Sequence, residues 1–430
     1  MWDTLGGRYV SSVNDVHAKY GPVVRLAPDT VSFATAPSWK DIYGLQEGKM
    51  QLQKDYKRFP DRPEPIHLFS SNDEDHARIR KILQHAFSTS ALRDQEAVVD
   101  GHIAALTNKL LTMTDKKIDI NHWFIRMTFD IMSHLTFGES FNSVDAEDND
   151  PYTEDFFQKM SIYPIIYASR EYGPLNWLLQ MMMKVPSIAA AEKEYFQSTK
   201  KRVDKRLDKD FPNQVDFMKY IVNNNSKEGI GHNEMVGVTT VLLNAGGQEL
   251  AVVLSSMIYY LTSNMRCADL AQKEAVAGQS STYMNAAINE TIRLHPPAAG
   301  NFQRRTGKAG QMIDGYFIPP DMSVGVSQFA AFRLPVNWVK PTTFAPERWL
   351  PEGAQEFRDD NKAVYQPFSA GPRNCLGKSL ALMVVNRTIT KLLQTFDMEL
   401  CSGMETWDEG QIYNVSWGRP PLEVVLRKRE

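Results

Sequence analysis

The 430-residue chain has only three cysteines, Cys267, Cys375 and Cys401, scattered through its second half. So sparse and odd a set excludes a disulfide framework. It also lacks the closely spaced Cys/His pairs of a structural zinc site. Such sparing use fits a reducing compartment, the cytosol or the cytosolic face of a membrane. Charge of one sign is missing as well: 48 Lys and Arg stand against 51 Asp and Glu, with a formal net charge of −3. Without a basic stripe, a nucleic-acid partner is excluded. There is no Gly/Ser-rich linker, charge run, low-complexity tract or internal repeat, so nothing marks a domain boundary and 1–430 reads as a single domain. The front of the chain has neither a signal peptide nor an apolar run long enough to span a bilayer. The most apolar long stretch, Val236 to Leu261, carries Asn244-Ala245-Gly246-Gly247-Gln248-Glu249 at its centre. An amide, two glycines and a carboxylate are costly in lipid, so the stretch reads as a buried core helix.

Hydrophobic residues make up 43% of the sequence, enough for a large core. Pro22 to Phe33 reads as two β-rich runs around a Pro-Asp turn. Apolar residues recur at helical spacing over Asp73 to Phe87, Gln95 to Met113, His122 to Phe137, Val215 to Asn223 and Asn233 to Ser263. Tyr283 to Leu294 forms a further helix, stopped by His295-Pro296-Pro297. Strands are predicted at Met312 to Ile318, Ser323 to Val326, Ile412 to Ser416 and Leu422 to Leu426. A loop-rich stretch covers Asn337 to Pro372, and Leu376 to Phe396 is helical. The class is mainly α with small β-sheets.

The chemistry points to Pro367–Gly377, which reads P-F-S-A-G-P-R-N-C-L-G. A loop holding Gly371 and Pro372 is rigid and allows close approach to a flat cofactor. Cys375 stands just before a helix, whose free N–H groups and positive end stabilise a thiolate. Arg373 adds a cation. A lone cysteine is ordinarily a small buried hydrophobe, but Phe368, Gly371, Arg373, Cys375 and Gly377 fill every fixed position of F-x-x-G-x-R-x-C-x-G. That signature resembles the haem-binding loop of the cytochrome P450 family. The resemblance implies that Cys375 is the axial thiolate of haem b (iron protoporphyrin IX), that Phe368 packs near the sulfur, and that Arg373 reaches a haem propionate. It also implies a triangular prism with haem between the long central helix and the cysteine-loop helix.

Other segments resemble the same family, in order. Glu290-Thr291-Ile292-Arg293 is an E-x-x-R whose charges share a helix face. Phe344 to Trp349 resembles the P-E-R-F/W element, and its Arg348 is implied to join Glu290 and Arg293 in a buried structural triad. His76 and Arg80 stand one helical turn apart and match the H-x-x-x-R of fungal members, which implies propionate contacts suited to an imidazole and a forked cation. Arg304 matches a further propionate position, with Arg305 as the alternative register. His17 to Arg25, Phe129-Asp130-Ile131 and Phe137 to Phe141 resemble fungal microsomal members of biosynthetic or detoxification type. The resemblance covers nearly the whole chain.

The central helix departs from the family pattern A/G-G-x-D/E-T, in which an acid and a threonine deliver protons during oxygen activation. Here Gln248 and Glu249 stand at the acid and threonine positions; one register further, Glu249 is the acid and Leu250 replaces the threonine. Four readings stay open. Glu249 relays protons, the substrate supplies the missing hydroxyl or is itself anchored by Glu249, the enzyme does not need ordinary oxygen activation, or Glu249 only meets a polar neighbour. Ala245, Gly246 and Gly247 are read as the substrate-adjacent part of the helix, with the glycines allowing close approach to haem. Met181, Met182, Met183, Phe69 and Tyr163 are core or pocket-lining residues. The stretch between Asn264 and Glu290 is short for the family.

The resemblance implies a monooxygenase for a mostly apolar small molecule, a fungal secondary metabolite, through hydroxylation, desaturation or oxidative coupling. O2 is the oxidant, and electrons come from NADPH through NADPH–cytochrome P450 reductase, with cytochrome b5 as a possible second donor. It implies a monomer at the cytosolic face of the endoplasmic reticulum membrane, held there by an N-terminal anchor that this sequence does not include. The rival readings are a peroxide-using or isomerising haem-thiolate enzyme and a non-catalytic haem protein.

Overall fold

The computed structural model describes residues 3, 6–45, 51–55, 57, 66–146, 150–170, 177, 181, 186–208, 214–225, 229–278, 281–409, 411–418 and 420–429, with backbone alone at 159, 161–164, 167, 170 and 186–193. Among these, the helices in chain order are α1 (Tyr9–Tyr20), α2 (Ala36–Tyr43), α3 (Asp73–Leu83), α4 (Thr89–Leu111), α5 (Ile120–Phe137), α6 (Pro151–Arg170) and α7 (Pro186–Asp208). They continue with α8 (Phe217–Asn224), α9 (His232–Thr262), α10 (Met265–Ala277), α11 (Thr282–Leu294), α12 (Gln328–Ala331) and α13 (Lys378–Thr395). Ten short strands accompany them: β1 (Val23–Ala27), β2 (Thr30–Phe33), β3 (Gln53–Lys54), β4 (Lys117–Asp119), β5 (Arg304–Arg305), β6 (Gln311–Ile313), β7 (Tyr316–Ile318), β8 (Ser323–Val326), β9 (Phe396–Leu400) and β10 (Glu423–Lys428).

The chain divides into two compact units. The first comprises Met1–Phe59, Ser256–Lys378 and Ser402–Pro420. It holds a five-stranded sheet in the order β1-β2-β8-β5-β3 and the β6-β7 hairpin. β2 and β8 pair in parallel, Thr30 opposite Ser323 and Phe33 opposite Val326, and both strands are buried along their length. Two-sided burial suits the small and β-branched residues of β8, Ser323 to Val326. Against the sheet lies a core of Phe33, Trp39, Ile42, Tyr43, Phe332 and Trp338. The second unit comprises Pro60–Ser255, Ser379–Cys401 and Pro421–Glu430. It carries most of the long helices and the antiparallel sheet β4-β10-β9.

Local chemistry explains where the helices begin. The Asn72 side chain accepts from the Asp75 N–H (2.8 Å) and caps α3, and Asp73, Glu74 and Asp75 fill its first turn, where the helix dipole favours negative charge. Asp119 caps α5 through the Asn121 and His122 N–H groups, and Gly138 ends that helix in the left-handed region (φ 72°), as a C-terminal glycine does.

The predicted helices and strands are present with boundaries shifted by a few residues, apart from one: Ile412 to Ser416 is not a strand, and an isolated bridge between Tyr413 and Trp417 stands in its place. Two aromatic rings folded across a tight loop leave no room for a ladder there. The front of the chain is not purely β, since α1 precedes β1. Its Val10, Val13 and His17 are buried, but the mixed polar face hides their helical period. α9 is the one described helix long and apolar enough to cross a membrane by length and composition, and 67% of its apolar window is buried within the protein.

Within the second unit, α4 and α5 meet at a histidine pair, His102 Nε2 lying 3.1 Å from His134 Nδ1. Burial, then the neighbouring His134, depress His102 to about 4, against a smaller opposing pull from Asp145. Burial likewise lowers His134, with Asp216 opposing. The unfolded chain titrates near 6.5 and so binds more protons than the folded chain between pH 6.5 and 4. Stability from this pair is full above that window and lost as pH falls through it. Chemical unfolding should show a loss of about 1–2 kcal/mol from His102 between pH 7 and 5, and His102→Gln should flatten that slope. An unchanged slope in the variant would remove the pair as its source.

Candidate active site

The residues singled out in the sequence fall into both units. In the first, Phe368 to Gly377 forms a sequence of tight turns leading into α13. The Cys375 N–H donates to the Phe368 carbonyl (2.8 Å), and the Asn374 N–H to the Gly371 carbonyl (3.1 Å). Gly371 sits at φ +74°, and a Cβ there would collide with the Tyr43 carbonyl. Both conditions demand glycine. Cys375 is exposed, whereas Cys267 is buried. A thiol is ordinarily a small buried hydrophobe, so a rigid loop that presents one outward at a helix N-terminus is built for an external partner. A flat cofactor needing one axial sulfur fits this loop, and Phe368, Arg373 and Gly377 lie in the same ten-residue span.

Arg304 is buried in β5. Its guanidinium lies 5.2 Å from the Tyr43 ring centroid, and it donates to the Gln303 carbonyl (3.1 Å). Tyr43 therefore ties the arginine to the cysteine loop, because its own carbonyl abuts Gly371. Its hydroxyl accepts from the Val326 N–H (3.0 Å). Strand alternation turns Arg304 and Arg305 to opposite faces of the sheet. Arg305 binds Asp55 (2.8 Å), Asp321 (3.0 Å) and Asp29 (3.5 Å) and is fully committed to that carboxylate cluster.

The expected triad is present and larger than the sequence implied. Arg293 donates to Glu290 through Nε and Nη2 (2.9 and 2.8 Å), and Arg348 Nε donates to the same carboxylate (2.8 Å). All three side chains are fully buried. Two members were missed. Asp360 accepts from Arg348 (2.6 Å), and the Trp349 indole donates to Glu290 (3.0 Å). Asp360 balances the charge: two guanidiniums meet two carboxylates. Burial pushes Glu290 up, but Arg293 and Arg348 outweigh it and hold the carboxyl below its ordinary range. The Trp338 ring lies under both guanidiniums, at 5.1 and 5.6 Å.

In the second unit, His76 is buried and Arg80 half-buried on α3. Between them in sequence, Arg78 binds Glu234 (2.5 Å) and Asp75 (2.9 Å), which anchors α3 to the start of α9. On α9, Gln248 is buried and Glu249 half-buried. The Asn244 side chain accepts from the Tyr152 hydroxyl (3.2 Å) and donates to the Tyr195 hydroxyl (2.9 Å), a polar seam with α6 and α7 that sequence periodicity does not reveal.

The reading of the two glycines needs correction. The space they leave is taken by α5: a side chain at Gly247 would stand 2.8 Å from the Phe129 ring, and one at Gly246 would run into Met132. The Thr128 hydroxyl also donates to the Gly247 carbonyl (2.8 Å). Both glycines let α9 pack closely on α5. Phe69 and Met181 are 57% and 52% exposed, so neither is a core residue. The Tyr163 side chain, Met182 and Met183 lie outside the described residues. Gly247→Ala should lower stability by about 1–2 kcal/mol despite its helix-propensity gain, because overpacking an aromatic ring costs about 1–3 kcal/mol. Gly246→Ala should cost less, since the flexible Met132 thioether can move. Thermal unfolding of the two variants checks the order.

The sequence model of the family Cytochrome P450 matches residues 3–425. The chain belongs to the cytochrome P450 family. It is similar to the cytochrome P450 monooxygenase olcB of Penicillium canescens, at 33% identity over 99% of this chain and 90% of that one. It is also similar to astJ of Aspergillus oryzae, at 31% over 100% and 88%, and to astA of Talaromyces wortmannii, at 30% over 100% and 89%; both are likewise named cytochrome P450 monooxygenases. This P450 is a monooxygenase with the mainly α fold and small sheets of its family. Membership brings haem, dioxygen, electrons from a reductase and a small-molecule substrate.

Proposed function

We propose that this P450 is a fungal secondary-metabolism monooxygenase, acting as one catalytic domain, that oxidises a mostly apolar small molecule by hydroxylation, desaturation or oxidative coupling. The observation that carries the reading is the exposed Cys375 sulfur on a turn that only glycine at 371 permits. Cys375 would hold haem b through its sulfur, with Phe368, Gly371, Arg373 and Gly377 shaping the loop. Arg304, His76, Arg80 and Arg373 are the propionate partners. NADPH–cytochrome P450 reductase supplies electrons, with cytochrome b5 as a second donor, to a monomer at the cytosolic face of the endoplasmic reticulum. Bound haem supplies dioxygen activation, and a thiolate ligand favours O–O cleavage.

The chain's own residues do the rest. Arginine forks and an imidazole position carboxylates, and the positive end of α13 suits an anionic sulfur. Glu249 is the proton-exchanging side chain within 245–250, since Gln248 cannot titrate. Its carboxyl is the atom group at which the chain would hold and release a proton. Glu249→Gln keeps the volume and removes the exchange. Product formed per NADPH should fall about 10²-fold, with peroxide formed instead and the reduced carbon monoxide spectrum unchanged. An unaltered ratio would strike Glu249 from the mechanism.

One observation favours a second reading. Glu249 and the buried Leu250 leave no threonine in either register, which suits an enzyme that uses peroxide or catalyses a rearrangement. Turnover with a reductase and NADPH, compared with peroxide alone, separates the two. A thiolate-type carbon monoxide difference spectrum tests the ligand assignment common to both.

A further inference from the structure

We infer that Lys378 tunes the sulfur loop: its ammonium, held over the Phe368 ring, makes one-electron reduction of the haem bound through Cys375 more favourable. The inference rests on the assignment of Cys375 as the haem ligand. Lys378 is the first residue of α13, three positions beyond Cys375, and the first turn of that helix holds no acidic residue. A cation there opposes the helix dipole, whereas α3 opens on three acids as the dipole favours. Among the described residues Lys378 has no carboxylate partner. Its ammonium stands 5.5 Å from the Phe368 ring centroid, and Phe368 is tied to Cys375 by the backbone hydrogen bond described above.

A cation–π contact at an exposed site is weak and about offsets the dipole penalty. The placement therefore does little for folding. Its consequence falls on the neighbouring anionic sulfur and on any electron added beside it. A fixed positive charge lowers the free energy of the reduced, more negative state, and salt screens the effect.

The test uses the full haem-loaded chain without a redox partner, so that docking does not contribute. Midpoint potentials are measured at low and physiological ionic strength for the wild type, K378Q, K378R, F368L and K378Q/F368L, each first checked by its reduced carbon monoxide spectrum. K378Q should lower the equilibrium constant for reduction about three- to ten-fold, tenfold corresponding to about 59 mV for one electron, and more at low salt. K378R should stay within about two-fold of the wild type. In the F368L background the K378Q effect should shrink, because the ammonium is no longer held. A normal carbon monoxide spectrum with an unchanged K378Q potential overturns this inference alone. A wild-type spectrum without the thiolate signature overturns the ligand assignment and this inference with it.

Discussion

Cys375→Ser is expected to abolish monooxygenase turnover while the chain still folds. Serine keeps a small side chain at this exposed position, and the turn around it is held by backbone hydrogen bonds to Phe368 and Gly371. The thermal midpoint of the haem-free protein should therefore stay within the small range of surface substitutions, about 0.5 kcal/mol. The loss should appear in the chemistry. Outer-shell partners of a metal site cost about 10- to 100-fold when removed, and loss of the ligand itself should exceed that. The decisive readout is the reduced carbon monoxide difference spectrum, in which the thiolate-type band should vanish. Its persistence in the serine variant would assign the iron to another side chain.

The second large effect is on stability. Glu290→Ala leaves Arg293 and Arg348 facing each other in a fully buried site with Asp360 as the one remaining carboxylate. Breaking a buried ion pair from one side costs about 3–5 kcal/mol, a large share of the about 5–15 kcal/mol that stabilises a native domain. Four donors lose their acceptor in the same step: the Trp349 indole, the Ala345 N–H and the Nε groups of Arg293 and Arg348. Glu290→Ala should give little soluble, haem-loaded protein. Asp360→Asn should be milder, because Arg348 keeps Glu290 and the carbonyls of Val339 and Lys340. Because Glu290 is held below its ordinary range when folded, its contribution is full above the unfolded carboxyl value and is lost as pH falls through the folded one. Urea midpoints of wild type and Asp360→Asn from neutral to acid pH check the order and the direction.

Legibility from sequence followed how local each determinant was. The cysteine loop was readable because its turn needs particular residues at fixed spacing, and Gly371 is required by a collision with Tyr43. Tyr43 itself was not readable, since it meets the loop from a helix more than 300 positions away. Glu290, Arg293 and Arg348 were found through two short motifs, whereas Asp360 sits in an irregular stretch with no period or spacing to announce it. The same limit produced the misreading of Gly246 and Gly247. A glycine pair says that something comes close, and only the packing of α5 identifies it as Met132 and Phe129. Strand positions in the C-terminal loop failed because Tyr413 and Trp417 favour β structure locally but meet edge to face across the loop (5.2 Å).

The strand pairings carry a consequence for biosynthesis. β2 waits for β8, nearly 300 residues later, and β4 waits for β10, whose partner residues begin at Glu423. Distant pairings are slow to form, and a chain emerging from the ribosome exposes its unpaired edges meanwhile. The sheet of the first unit cannot close before β8 has been made, nor that of the second before β10. A nascent chain not yet extended past Glu423 leaves β4 without its neighbour, a state that chaperones must shield.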